Sequence, residues 1–540
     1  MLKILKTYPG LFIVVITTLL LVFHIDVLPI SIMEARNFIT AREMIDDGNW
    51  LLTTMNGEAR YEKPPLPTWI TALFGLIFGL EKLWALRLPA ILMFGLSSYG
   101  IFAISKQLVN NFNLALLNSV ITITSFYILA IIFEAPWDIY THGFMIIGIL
   151  FLLKHFLHKN NLYLFIASFF IGCSILSKGP ISIYALLLPF LIAYGIVYKY
   201  KFSKPVVLKI IGVVILSLLI GGWWFLYVRM VDPDTFLKIT EKETGNWNSY
   251  NVRPFYYYWS FFANSGLWLI PAFVSLLYPY LKNKVSNLKA YQFSLIWVLA
   301  SLVLLSLVPE KKSRYLVPTL IPLAMNCGFY MEYVIKHFKY FKLKEKIAPV
   351  FHFSILIIVA LAIPAVLLFQ FKEVIFADWF YSTLLIFSAL ASGTTMMWFL
   401  KKRDVKNLTI ASVAFYGSIL FFGMPLVKHL PKHNYTPITD LKEEINFSNI
   451  NLFNLNEVSP EIIWQYGDKI PEIDIDELAS ISQHKELAIL VTNLEDSQQA
   501  FLEQNFEIIR LKTYDLNWSK VGSKGHKNRL TVQLLKIKKL

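Results

Sequence analysis

Charge is scarce in this chain. Asp, Glu, Lys and Arg make up 16% of its 540 residues while 56% are hydrophobic, and the mean hydropathy is +0.54. A soluble fold of this length could not hide that much apolar surface, which leaves a polytopic membrane protein. Cysteine is almost missing: Cys173 and Cys327 both lie within apolar runs, so no disulfide framework is implied. No internal repeat or low-complexity tract is evident. No small-residue cleavage site follows Lys3, Lys6 and the first apolar stretch, so that stretch reads as a retained span rather than a removed signal peptide. The formal net charge of +14 does not indicate nucleic acid, because the lysines fall in short segments between apolar runs, the pattern that sets topology.

Apolar runs of spanning length occur at about 9–30, 86–107, 113–135, 138–157, 162–177, 180–199, 206–228, 258–281, 289–308, 314–336, 348–370, 376–400 and 408–427, thirteen in all. A fourteenth, Leu66–Leu80, is short and opens on Pro64, Pro65 and Pro67. If it lies along the surface, alternate connections carry Lys3/Lys6, Lys106, Lys154/Lys159, Lys199/Lys201/Lys204, Lys282/Lys284/Lys289, Lys336–Lys346 and Lys401–Lys406. Those connections are then cytoplasmic by the positive-inside rule. The N-terminus is expected inside. The loops 31–85 and 230–257, Asp138, Lys178, Lys311–Arg314 and the C-terminal tail are expected outside. Residues 1–430 read as the spanning domain. Residues 431–540, richer in charge and with strand-like stretches at Leu487–Val491 and Leu530–Leu535, read as a small periplasmic α/β domain.

Charges gather on that outer side. Arg36, Thr40, Glu43 and Asp47 recur at i, i+4, i+7 and i+11, so Glu34–Trp50 is expected as an amphipathic helix with its polar stripe toward a cavity or toward solvent. Lys63 precedes Pro64 and is pushed out of α geometry, so a stiff turn presents its ammonium at headgroup depth. Taken alone it reads better as a snorkelling lysine. Arginine adds a fork for phosphate oxygens. Asp138 opens a span, where a carboxylate is costly and either paired or functional; capping its helix is the competing role. Lys178-Gly179-Pro180 ends one span and begins another. Lys311-Lys312-Ser313-Arg314-Tyr315 puts three cations on the side where the rule disfavours them. The Tyr256-Tyr257-Tyr258-Trp259 run suits the interfacial aromatic belt first and sugar stacking second.

Glu34-Ala35-Arg36, Asp47-Gly48-Asn49-Trp50, Asn56-Gly57, Tyr61-Glu62-Lys63-Pro64-Pro65-Leu66, Ala85-Leu86-Arg87-Leu88-Pro89, Lys178-Gly179-Pro180 and Arg314-Tyr315-Leu316-Val317-Pro318 are each weak alone. In this order and spacing, over roughly residues 9–335, the chain resembles the GT-C glycosyltransferases that use polyprenyl-phosphate-sugar donors. It is nearest the aminoarabinose–lipid A transferases, with the protein O-mannosyltransferases further away. The resemblance implies an all-α, thirteen-span fold with an outer cavity, in a bacterial inner membrane. It implies an undecaprenyl-phosphate-like sugar donor and a lipid A, other glycolipid or protein acceptor. Arg36 and Lys63 would grip the donor phosphate, with Tyr61, Lys178, Arg314 and Tyr315 as further donor-binding positions. Glu62 matches a position that helps bind a divalent metal in relatives, and Asp138 matches their second outer acidic residue.

Two departures follow. Met33 stands where relatives usually carry the aspartate of an Asp-Glu pair, leaving Glu34, and no histidine occurs between His158 and His337 to serve as the metal partner of the lipid A type; Glu243 is the candidate to take that place. The implied chemistry is displacement at the anomeric carbon with the lipid phosphate leaving. For a hydroxyl acceptor, Glu34 or Asp138 is the candidate base; a phosphate acceptor needs none. The alternative function is a transporter or flippase of lipid-linked sugars. It would be expected to show matching halves and mid-membrane charge, and neither is seen.

Overall fold

The computed structural model describes residues 6–134, 136–200, 203–448, 450–480 and 486–540; Lys3 and Lys201 lie outside them. The chain folds as two compact units, one of Met1–Pro29 with Tyr61–His429 and one of Ile30–Arg60 with Leu430–Leu540.

The first unit is helical. Among the described residues seven helices are long and apolar enough to cross a bilayer: Leu83–Val109, Pro136–His158, Lys204–Val231, Leu288–Leu307, Leu343–Gln370, Trp379–Lys401 and Val405–His429. Five shorter apolar helices accompany them, including Leu66–Phe78 and Leu162–Lys178, and the mostly buried Val317–His337 carries Pro318 and Pro322 in its first turns. These elements do not confirm a count of thirteen spans. The run expected at 258–281 is broken into 3-10 turns at Phe255–Tyr258 and Phe261–Ser265 and short helices at Leu269–Ser275 and Tyr278–Leu281. Gly266, at φ +57°, and Pro271 and Pro279 interrupt it. Leu66–Phe78, at 13 residues, extends about 20 Å, short of the roughly 30 Å hydrocarbon layer.

Burial separates the inner helices from the outer ones. Leu83–Val109 and Pro136–His158 are 72% and 89% buried, whereas Lys204–Val231 and Leu343–Gln370 are more apolar yet only 17% and 22% buried. Apolar surface left uncovered on that scale is solvated by lipid, so this is a multi-pass membrane protein. Small residues set the helix spacing. A Cβ on Gly221 would meet the Gly172 carbonyl oxygen at 2.3 Å, so Leu162–Lys178 and Lys204–Val231 pack backbone to backbone. Arg87, 1% exposed, donates to the carbonyls of Ile25 (2.5 Å), Leu28 (3.1 Å) and Pro29 (3.4 Å). It satisfies the unpaired backbone where the first helix gives way to the loop.

The second unit carries a mixed sheet. Strands β1 (Thr54–Met55) and β2 (Glu58–Ala59) form a hairpin; β3 (Asn451–Leu455), β4 (Glu486–Val491), β5 (Phe506–Asp515) and β6 (Thr531–Lys539) form a four-stranded sheet ordered β3-β4-β6-β5. β3 and β4 run parallel and the other pairs antiparallel. The expected strands at 487–491 and 530–535 are here. The loop expected to belong wholly to the spanning domain divides, its residues 30–60 grouping with the C-terminal segment. The reason is apolar. Helix Ile32–Asp46 buries Ile39 in one core with Ile438, Leu441, Ile462 and Ile463, and Phe38 packs on Trp464 with ring centroids 5.4 Å apart.

The hairpin seals that joint. Asn56 and Gly57 take φ of +60° and +82°, the two-residue turn that asparagine-glycine favours. Asn56 Nδ2 donates to the Ile470 carbonyl and its Oδ1 accepts from the Ile470 N–H, both at 2.7 Å. Glu43 accepts from Thr54 Oγ1 (2.6 Å) and from the N–H groups of Asn56 (2.6 Å) and Gly57 (3.2 Å). The polar stripe of the amphipathic helix thus orders its own hairpin.

Candidate active site

Lys178 is the last residue of helix Leu162–Lys178, before Gly179 at φ +79°. It forms an ion pair with Asp138, which opens the neighbouring helix Pro136–His158. Asp138 is 2% exposed. The His142 Nε2 and Arg314 Nε atoms each lie 4.0 Å from it, on Oδ1 and Oδ2 respectively. Asp138 Oδ2 and Arg314 Nε make no hydrogen bond among the described residues. The Lys178 ammonium also stands 5.3 Å from the centre of the Tyr315 ring. A carboxylate so buried is tolerated because cations surround it, and it in turn holds those cations in place.

Two further pairs repeat this arrangement. Lys312 Nζ is 2.6 Å from Glu310 Oε1, which also accepts from the Tyr315 hydroxyl at 3.2 Å. Lys63 Nζ is 3.4 Å from Glu243 Oε2 and 3.0 Å from the Glu62 carbonyl. The Tyr61 hydroxyl donates to Asp232 Oδ2 at 3.0 Å; burial first, then this bond, pushes its phenol up to about 12. Both ties fasten the 230–257 loop, whose helix Pro233–Ser249 carries Glu243, to the Tyr61–Pro65 turn. A second fastening joins Val252 to Glu310 as an isolated bridge, with the Arg253 N–H donating to the Pro309 carbonyl at 3.2 Å.

Of these groups, Lys178, Glu243, Glu310, Lys312 and Tyr315 line a cavity of about 700 Å³. Its polar end is formed by Lys178, Glu243, Tyr258, Glu310, Lys312 and Tyr315, and its shaft by apolar side chains such as Leu187, Leu191, Ile210, Val213, Val214 and Leu305. An apolar cleft that closes on cations suits an amphiphile with an anionic head. Each lysine lining the cavity faces a carboxylate, Lys178 facing Asp138 and Lys312 facing Glu310, so an arriving phosphate finds charges held in position and competes with an internal counter-ion.

Of the residues expected from sequence, Tyr61, Lys63, Asp138, Lys178, Arg314 and Tyr315 lie in the first unit, and Lys178 and Tyr315 line the cavity directly. Glu34 and Arg36 lie in the second unit. Glu34, 1% exposed, caps its own helix: the Ser31 hydroxyl accepts from the Glu34 N–H at 3.2 Å and Glu34 Oε2 accepts from the Ser31 N–H at 3.1 Å. The spacing Ser31-x-x-Glu34 signals this capping box. Arg36 Nε is buried with no acceptor among the described residues. Glu62 is exposed, and no group of three or more His, Cys, Asp or Glu side chains among the described residues could hold a metal ion.

Four residues were not anticipated in their observed roles. Lys311, counted among the entrance cations, is 3% exposed and donates to the Val308 (2.5 Å) and Arg253 (3.1 Å) carbonyls. Burial lowers its ammonium below the usual lysine range, and it serves the backbone. Glu310 and Asp232 are partners of expected residues, and only their position beside a lysine run or at a span end hinted at them. His142, one turn after Asp138, was a visible signal because histidine is rare inside a span.

A family model described as dolichyl-phosphate-mannose-protein mannosyltransferase matches residues 62–224, a stretch holding Lys63, Asp138 and Lys178. An uncharacterized protein of Aquifex aeolicus (strain VF5) is 26% identical over 343 residues, 62% of this chain and 65% of its own length. An undecaprenyl phosphate-alpha-4-amino-4-deoxy-L-arabinose arabinosyl transferase of Photorhabdus laumondii is 23% identical over 315 residues, 54% of this chain and 53% of its own. The chain thus spans about half to two thirds of the length of these curated relatives. Among solved structures, ArnT from Cupriavidus metallidurans bound to undecaprenyl phosphate superposes with a TM-score of 0.70 at 15% identity, over 99% of this chain and 97% of that one. That likeness shows the fold: a helical membrane bundle with a small C-terminal sheet domain. The chain therefore shares the fold of that structure and is similar, over residues 62–224, to the dolichyl-phosphate-mannose-protein mannosyltransferase family model.

Proposed function

We propose that this chain moves a sugar from an undecaprenyl-phosphate-like donor to a lipid A, other glycolipid or protein acceptor at the outer face of a bacterial inner membrane, with its N-terminus cytoplasmic and its C-terminal domain periplasmic. The observation that carries the proposal is the cavity of about 700 Å³ whose apolar shaft ends on Lys178, Lys312 and Tyr315. The shaft suits a prenyl chain and the cationic end a phosphate. Relatives named for undecaprenyl phosphate-aminoarabinose support this donor class. The transporter alternative gains no support from the relatives named above.

In the reaction the acceptor oxygen bonds to the anomeric carbon as the bond from that carbon to the phosphate oxygen breaks, its electron pair leaving with the lipid phosphate. Lys178 and Lys63, with Arg314, stabilise the charge gathering there, and Arg36 is a further donor-binding candidate; one such group is worth about 10²–10³ in turnover. Asp138 holds Lys178 and Arg314 in place. A hydroxyl acceptor must lose its proton to a carboxylate, for which Glu34 and Asp138 are the candidates, whereas a phosphate acceptor arrives deprotonated. No step is routed through a metal at Glu62.

The test is transfer in detergent from a synthetic polyprenyl-phosphate sugar to isolated lipid A or to membrane protein, followed by mass spectrometry. Labelled product from wild type, lost in Lys63→Ala and Arg36→Ala proteins that remain monodisperse, supports the proposal. Absence of product and of donor hydrolysis refutes it, since a flippase leaves no product without two compartments.

A further inference from the structure

One helix holds another through three consecutive levels. On Leu162–Lys178 and the turn beyond it, Ser174, Lys178 and Ser182 recur every four residues. On Pro136–His158, each meets a partner. The Thr141 hydroxyl donates to the Ser174 carbonyl at 3.0 Å, and the Ser174 hydroxyl returns a bond to the Thr141 carbonyl at 2.7 Å. Asp138 pairs with Lys178. His142 Nδ1 hydrogen-bonds Ser182 Oγ at 2.7 Å, and Thr141 Oγ1 lies 3.3 Å from the same hydroxyl. His142, Thr141, Ser174 and Ser182 are all 2% exposed or less.

Lys178 needs such bracing. It ends its helix, where the last turn frays, and the next residue is Gly179 in the left-handed region, followed by Pro180. The backbone beyond continues as a π-helical turn at Ile183–Leu187, a segment with weaker intrinsic geometry than an α-helix. The paired hydroxyls of Thr141 and Ser174 fix the turn before the lysine. The His142–Ser182 bond fixes the turn after it. With both ends held, the Lys178 ammonium keeps its place between Asp138 and the cavity.

We propose that His142 is a positioning residue for the transfer reaction: through Ser182 it fixes the Gly179-Pro180 turn, and so sets where Lys178 meets the donor phosphate. His142 does not line the cavity, and among the described residues the site residue it approaches is Asp138, the partner of Lys178, at 4.0 Å, so it acts through these neighbours. This inference rests on the glycosyltransferase reading above and deepens it. A misplacement of about 1 Å at a charge-stabilising group lowers turnover about 10²-fold.

The variants are His142→Ala, His142→Asn, His142→Gln and Ser182→Ala, assayed in the full-length protein with a synthetic undecaprenyl-phosphate sugar. Asparagine places an amide where Nδ1 stood and can keep the Ser182 bond; glutamine reaches the Nε2 position and loses it. His142→Ala and Ser182→Ala are each expected to lower kcat by about 10²-fold with KM for the donor unchanged. The double variant should be no worse than either single one, and His142→Asn should recover most of the turnover while His142→Gln does not. Additive losses, equal behaviour of His142→Asn and His142→Ala, or full turnover in Ser182→Ala would each overturn the proposal. Were wild type itself inactive on such donors, with variants and wild type sharing one melting profile, it is the donor assignment that fails rather than the positioning role. A lower melting temperature shared by His142→Asn and His142→Ala without the kcat split would reduce His142 to a packing residue.

Discussion

Breaking the Lys178–Asp138 pair from one side should cost more than removing both members. Asp138 is 2% exposed and the Lys178 side chain 8%, so either charge left alone stays in a poorly solvated place. Deleting one partner of a buried pair costs roughly 3–5 kcal/mol, while replacing both by uncharged groups of similar volume is near neutral or stabilising by roughly 1–4 kcal/mol. The two single variants are not equivalent. In Lys178→Met, Asp138 keeps His142 and Arg314 at 4.0 Å, which places the loss near the lower figure. In Asp138→Asn, Lys178 keeps the Tyr315 ring at 5.3 Å and gains no new anion, which places it near the upper. Thermal denaturation in detergent, read as loss of monodisperse protein, should rank the double variant at or above wild type, then Lys178→Met, then Asp138→Asn. Sugar transfer separates structure from function: Lys178→Met and the stable double variant should both fall by about 10² or more. A double variant with additive destabilisation, or one that keeps transfer, would refute the reasoning.

Asn56→Ala removes both hydrogen bonds to Ile470 and leaves a non-glycine residue at φ +60°, so the second unit should lose about 2–3 kcal/mol, measured as faster proteolysis within residues 430–540. Asp232, whose carboxyl Thr235 and Tyr61 hold below the usual aspartate range, contributes fully above that range and loses its contribution as pH falls through it. Protease protection of the 233–249 helix should hold from about pH 7 to about 5 and fail below about 4, and Tyr61→Phe should weaken it at every pH. Glu34→Gln keeps the capping box, so the melting temperature should not move. Transfer to a phosphate acceptor should persist and transfer to a hydroxyl acceptor should fall, compared by mass spectrometry of both products.

Much of this molecule is legible from local pattern. Apolar runs locate most of the helices, and Lys63, Lys178 and Arg314 stand out because charge is expensive where they lie. Partners are harder to read. Glu43 orders a hairpin, and Glu34 closes a cap whose Ser31-x-x-Glu34 spacing was visible but was outweighed by its place in a family motif. Lys311, Lys312 and Arg314 look alike in sequence, yet one serves backbone carbonyls, one pairs with Glu310 and one flanks Asp138. The least readable feature is the grouping of residues 30–60 with the C-terminal segment. Asn56 and Ile470 are 414 residues apart, and no local window joins them. The count of thirteen spans is not confirmed, and at 258–281 Gly266 and two prolines break an apolar run that hydropathy alone treats as continuous.

The central claim is that a prenyl phosphate lies in the cavity with its head on Lys178 and Lys312. Photo-crosslinking with a diazirine-bearing undecaprenyl phosphate, followed by peptide mapping, tests it directly. Label should concentrate on 181–191 and 210–214, fall when unlabelled undecaprenyl phosphate competes, and weaken in Lys178→Met. Label spread over Leu343–Gln370 and Trp379–Lys401, indifferent to competitor and to Lys178, would contradict it.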